Sequence, residues 1–345
     1  MVYSMNFTIS KADRTLPTLI ALLISITLLP LKLNASEIPV KTYKIVTDIQ
    51  ADGTAGKLIS EFAKNVQKRT NDKVRFKIFH AGVLGDQLQY FQHIQRGVID
   101  IGLINSASIE SVIPYLGIMN MPYLFRSAEE YRKVMNSAKI RDILFESAKK
   151  NRFAFLGYLS SDFRSIYTSK PVTNRLELAS LRLRTISSQT YMQMLHRFGA
   201  VPTALPFGEL YSAMQQGVVD GAEGGIAGIY EAGFSDVAKF VLHTEHTRLT
   251  DFVIASTKFT NSLSETERQI VNEEFIHISD KSIDFAQENE RITKKKLIDE
   301  KGVKFYSVDK EDFINSVKPL YEAALAEPEK ATLLKAILQL EQRTL

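Results

Sequence analysis

The chain has no cysteine. Without thiols it can be neither a disulfide-stapled scaffold nor a thiol enzyme, and it has no site for a cysteine-linked lipid. A dominant charge sign is also missing: 43 basic against 39 acidic residues give a net +4, too small a surplus for a nucleic-acid footprint. Catalytic signatures are lacking too. There is no G-x-S-x-G elbow, P-loop, G-x-G-x-x-G cradle or H-E-x-x-H pair, so hydrolase, nucleotide-enzyme and zinc-protease readings have no support. His243 and His246 stand at i,i+3 with no third ligand in sequence nearby, so neither a metal nor a cofactor is expected. Beyond residue 31 no apolar run reaches membrane-spanning length.

The N-terminus has what the rest lacks. Lys11 and Arg14 precede an apolar run from Leu16 to Leu31 that contains Pro17 and Pro30 and leads into Leu33-Asn34-Ala35. This is the order of a secretory signal peptide over residues 1–35, with an uncleaved anchor as the alternative. Its removal takes away Lys11, Arg14, Lys32 and Asp13 and lowers the net charge from +4 to +2. A soluble monomer of the bacterial periplasm fits these features. At 345 residues the chain is long for one core, so two lobes are expected.

Periodicity supports α/β lobes. Tyr43 to Thr47 alternates as a strand; Ile59, Phe62, Ala63 and Val66 recur at helical spacing; Val74, Phe76 and Ile78 alternate again. Gln95 to Asp100 reads QRGVID and Gln215 to Asp220 reads QQGVVD, 120 residues apart. Each follows a short amphipathic helix, places Gly where a left-handed cap belongs, and leads into a strand of β-branched residues. The two lobes are therefore expected to be similarly built. Helical stretches are expected over Ala128 to Lys150 and Ile226 to Val241. Ser264 and Glu267 form a capping box that opens a helix running toward Gly302, long enough to span both lobes. Two helices close the chain, the first kinked at Pro319.

Arg184 ends the strand LRLR, where an open α/β sheet places its ligands, whereas Arg182 should lie away from that end. A guanidinium offers two parallel donors to a carboxylate; the plainer alternative is a structural ion pair. Arg164, after Phe163, is ambiguous by itself. Phe207, in a Pro-Phe-Gly turn, is either a stacking platform or a core aromatic.

The run LRLRT, then GAVPTALPFGELYSAMQQGVVDGAE, closely resembles the solute-binding proteins of tripartite ATP-independent periplasmic (TRAP) transporters. The resemblance extends to HAGVLGDQLQYFQHIQRGVIDIGL, MPYLFR and DFRSIYTSKPV. It implies a two-lobed α/β periplasmic binding protein with crossing hinge strands and a long lobe-spanning helix, which closes on an organic or sugar acid and hands it to membrane permease subunits. Lobe I would comprise 36–161 plus 250–289, and lobe II 162–249 plus 290–345. By the same resemblance Arg184 is the carboxylate anchor, Arg164 assists and Phe207 packs on the ligand, with Gln87, Asn105 and Gly224 as further contacts. Two positions depart from the family pattern. Gly224 replaces an Asn, leaving room for a bulkier ligand or water, and Gln87 replaces an acid. Service to a sensor instead of a permease, or a periplasmic enzyme on the same scaffold, are the competing functions.

Overall fold

The computed structural model describes residues 40–343; the signal-peptide expectation falls outside them. Its strands are β1 (Lys41–Val46), β2 (Val74–Phe79), β3 (Ile101–Asn105), β4 (Phe153–Thr168), β5 (Arg182–Thr185), β6 (Val201–Ala204), β7 (Gly221–Gly225), β8 (Phe240–Ser256) and β9 (Lys304–Ser307). Among the described residues these nine form one sheet in the order β2-β1-β3-β8-β4-β7-β5-β6, with β9 beside β8.

That order is its own mirror image. Strands β2-β1-β3 at one end and β6-β5-β7 at the other are parallel trios, as expected where helices separate successive strands. Each trio meets one long strand antiparallel, β3 against β8 and β7 against β4, and the two long strands pair with each other. The fold is thus two α/β lobes on a shared pair of crossing strands. Register shifts interrupt the β4–β8 pairing between Phe155 and Gly157, Ser160 and Phe163, and Arg164 and Ile166; such bulges bend a strand locally. Arg248 is buried beside them, donating from Nε to Ser160 Oγ at 2.7 Å, with the Phe163 ring 5.0 Å from its guanidinium.

The repeated hexapeptide is one structural device used twice. Gly97 and Gly217 adopt φ of 69° and 68° after the helices Gln87–Gln95 and Leu210–Gln215. In each cap the following valine donates back five residues, Val98 to His93 O and Val218 to Ala213 O, both at 2.9 Å. The closing aspartates match as well: Asp100 Oδ2 accepts from Lys44 N at 2.8 Å and Asp220 Oδ2 from Arg182 N at 2.9 Å. Strand pairing starts one residue later in both lobes, Ile45 with Ile101 and Leu183 with Gly221. The strands therefore open after the aspartate and not at the β-branched residues.

The expected long helix is Glu265–Asp299, 35 residues, or about 52 Å at ~1.5 Å per residue. Ser264 Oγ accepts from Glu267 N at 3.3 Å and Glu267 Oε2 accepts from Ser264 N at 2.8 Å, completing the capping box. Phe275 stacks on Phe62 of the Thr54–Arg69 helix in one core, while Leu297 is buried in another with Leu210 and Ile226. One helix thus belongs to both lobes.

Two helical expectations need correction. The stretch from Ala128 divides into Ala128–Met135 and Ala138–Lys150, because Asn136 and Ser137 cap the two pieces. The region from Ile226 stops at Glu231; Gly233 turns with φ 70° and Val241 already lies in β8. The Lys310–Ala326 helix runs through Pro319. The closing helix, Pro328–Leu340, packs on Ala138–Lys150 and on Pro114–Asn120.

Candidate functional site

The carboxyl ends of β1, β3, β5, β6 and β7 converge on a cavity of about 440 Å³. This is where parallel strands leave room for a ligand. Arg184, Arg164, Phe207, Gly224, Gln87 and Asn105 all line it. Arg182 does not: it is exposed and pairs with Asp220 at 2.9 Å.

Arg184 is 3% exposed. Its Nε and Nη2 both donate to Leu205 O, at 2.9 and 2.8 Å, and no carboxylate among the described residues pairs with it. Burial pulls its pKa below the usual arginine value, and the negative potential around it only partly offsets that. A buried cation without a counter-ion pays a desolvation cost that an incoming carboxylate relieves.

Arg164 differs. Its Nε donates to Glu223 Oε2 at 2.6 Å and its Nη2 to Glu223 Oε1 at 2.9 Å, both groups being buried. Thr185 Oγ1 adds a 2.8 Å bond to the same carboxylate. Burial alone would raise the Glu223 pKa; the Arg164 charge, the neighbouring His246 and the Arg164 hydrogen bonds outweigh it and hold the carboxylate well below its ordinary range. Arg164 thus reaches the cavity already neutralised, with Nη1 outside the pair.

Gln87 and Asn105 are tied to each other. Gln87 Oε1 accepts from Asn105 N at 2.9 Å, and its Nε2 donates to Asp48 Oδ2 at 2.8 Å. Asn105 Oδ1 caps the next turn through Ser108 N at 2.7 Å. Phe207 is 40% exposed, so it forms the rim of the cavity, not part of the core; the Arg184 guanidinium lies 6.0 Å from its ring centre.

The space expected beside Gly224 is already taken. A Cβ on Gly224 would lie 3.1 Å from Tyr167 Cε1 and 3.3 Å from its Oη. Tyr167 is buried and lines the cavity, and its hydroxyl has no hydrogen-bond partner among the described residues. Sequence reasoning missed it, along with Asp48 and Asp251. All three sit in strands or turns whose neighbours are distant in sequence.

At one edge of the cavity, Thr54 Oγ1 donates to Glu231 Oε1 at 3.1 Å, and Asn289 Nδ2 reaches both, at 2.7 and 2.8 Å. This three-way contact joins the start of the first described helix, the end of Ile226–Glu231 and the long helix.

His243 does have further donors nearby: Glu245 and Glu290 lie close enough that their ligand atoms fall within 4.8 Å of one another. Glu290 was invisible to local spacing. Lys294 Nζ, 3.4 Å from His243 Nε2, and Lys310, bonded to Glu245, already supply positive charge there. His246 points elsewhere, with Nε2 3.5 Å from Glu223.

A sequence model of the bacterial extracellular solute-binding proteins, family 7 (DctP), matches residues 46–327. The chain belongs to this family. As a family 7 solute-binding protein its work is binding and transport, not catalysis. It is 31% identical over 270 residues to the Salmonella typhimurium protein YiiZ, covering 77% of this chain and 81% of that one. A TRAP periplasmic solute-binding protein from Anaerococcus prevotii, solved with bound D-glucuronate, matches at 28% identity with a TM-score of 0.83, covering 88% of this chain and 98% of the other. Another from Polaromonas, bound to D-erythronate, matches at 27% identity and a TM-score of 0.82, covering 86% and 98%. The family is periplasmic, and no helix among the described residues is long and apolar enough to cross a membrane.

Proposed function

We propose that this solute-binding protein captures a sugar acid in the cavity between its lobes and passes it to TRAP permease subunits. The observation that carries the reading is Arg184, a buried guanidinium facing the cavity with no carboxylate partner among the described residues. Two relatives bind D-glucuronate and D-erythronate, each a carboxylate on a hydroxylated chain. In the proposed complex Arg184 holds the carboxylate, Phe207 packs on the carbon skeleton, and Gln87, Asn105 and the Nη1 of Arg164 contact the rest. Lobe I comprises 36–161 plus 250–289 and lobe II 162–249 plus 290–345, moving about the bulged stretch of β4 and β8. Closure removes water from the Arg184 contact and so strengthens it. Residues 1–35 act as a signal peptide, and mass spectrometry of the exported protein is expected to find an N-terminus at or near Ser36.

Thermal-shift screening against uronic and aldonic acids, followed by calorimetry, tests the reading. Saturable binding that Arg184→Ala abolishes is expected. Undiminished affinity in that variant would remove the anchor.

A further inference from the structure

The lobe I half of the cavity is walled with acid. Asp48 follows β1, Asp251 lies in β8, and both line the cavity. Asp48 Oδ2 is held by Gln87 Nε2 at 2.8 Å, and Asp251 Oδ2 receives one long contact, 3.4 Å, from Ser161 Oγ. Among the described residues neither carboxylate forms an ion pair, although Asp251 is only 6% exposed. They are near enough to repel each other, and the charges of Arg184 and Arg164 reach them from the other half of the sheet. The cavity is therefore polar in the electrical sense, with a free cation contributed by β5 and unpaired anions contributed from β1 and β8.

An ionised carboxylate is an acceptor only, and Asp251, whose pKa burial and the Asp48 charge push up to about 7, takes that form above neutrality. Facing a ligand already held by its own carboxylate at Arg184, Asp48 and Asp251 reward hydroxyl donors and penalise another negative charge. Rejection of this kind works through like-charge contact and is as effective for selectivity as a new attraction. We propose that Asp48 and Asp251 are the specificity-determining pair of this site: they accept hydrogen bonds from the ligand's hydroxyl groups and exclude a second carboxylate. The solute is then a polyhydroxy acid with a single carboxylate, and dicarboxylates of the same length are turned away. This inference rests on the sugar-acid reading and on Arg184 as the anchor.

The test pairs ligands that differ in one carboxylate. Calorimetry of the mature protein at pH 8, above the range in which Asp251 titrates, would compare D-glucuronate with D-glucarate and D-erythronate with tartrate, with a zwitterionic amino acid as a further arm. The wild type is expected to prefer the monocarboxylate of at least one pair by 100-fold or more. Asp48→Asn and Asp251→Asn, which keep side-chain volume, are each expected to narrow that ratio at least 10-fold, with melting curves confirming that both variants fold. An unchanged ratio in both variants would overturn the pair while leaving the sugar-acid reading intact. A wild type that prefers the dicarboxylate or the amino acid would also overturn it, the latter by pointing to an ammonium at the acidic wall. If no sugar acid binds, or if Arg184→Ala binds as well as wild type, the reading beneath fails and takes the pair with it.

Discussion

Tyr167 occupies the space that a side chain on residue 224 would need, its ring edge lying 3.1 Å from where a Gly224 Cβ would stand. The two positions are therefore one choice. Gly224→Ala is expected to displace the ring and to destabilise the protein by about 1–3 kcal/mol, the usual range for overpacking. Tyr167→Phe keeps the packing and removes a hydroxyl that has no partner among the described residues. Its melting temperature is expected to match wild type while affinity for the sugar acid falls about 5- to 10-fold, the scale of one hydrogen bond. Calorimetry and thermal melts on both variants separate the two effects.

Arg184 and Arg164 should fail in opposite ways. Arg184→Met removes a buried charge without an ion-pair partner, so the unliganded protein is expected to melt no lower than wild type, while affinity falls by about 30-fold to several thousand-fold. Glu223→Gln instead leaves the buried Arg164 uncompensated, with an expected stability loss of about 3–5 kcal/mol. Denaturant titration of the two unliganded variants decides the matter. Equal loss in both would mean that Arg184 is structural.

Asp251 gives the site a pH signature. Burial first, then repulsion from Asp48, pushes its pKa up to about 7, against the opposing pull of Arg164 and the Ser161 hydrogen bond; its charge also reaches the phenols of Tyr90 and Tyr131. In the unfolded chain it titrates near 4. Between these values the folded state holds a proton that the unfolded chain has released, so Asp251 costs stability as pH rises through that window. Buried His246 acts in the opposite sense, since burial lowers its pKa and folding disfavours its protonation in acid. The useful readout is therefore a difference. The melting temperature of Asp251→Asn relative to wild type is expected to rise between pH 5 and pH 8, and a flat difference would contradict the assignment.

The contact among Thr54, Glu231 and Asn289 should govern release. It links elements from both halves of the sheet at the edge of the cavity. Glu231 is solvent-exposed, so the effect is modest: Glu231→Ala is expected to raise the solute off-rate by about 3- to 10-fold, with little change in on-rate. Stopped-flow fluorescence or competition kinetics would measure it.

Where information was local, the sequence was legible. Gly97, Gly217, Ser264 and Glu267 act through neighbours within a turn or two, and each does in the structure what its spacing implied. Arg184 could be placed because a strand's carboxyl end is visible in the chain. The partners of the site were not legible for the converse reason. Arg164 meets Glu223 across 59 residues, Ser161 meets Asp251 across 90, and Asn289 meets Thr54 across 235. Nothing in the sequence singled out Tyr167, and only the β4–β7 register, which sets Ser165 against Gly224, brings it beside that glycine. The Ile226 region was misread because an apolar run and a Gly-limited helix look alike until the chain turns at Gly233.

Asp100 and Asp220 have a consequence for how such a protein can change its cargo. Each fastens a parallel strand by a backbone N–H on the side away from the cavity, and the residues proposed to meet solute, Asp48 and Arg184, lie farther along those same chains. Stability is written at one end of the strand and preference at the other. New side chains at the cavity end can therefore be tried while the fastening holds, which makes each lobe a holder with exchangeable tips.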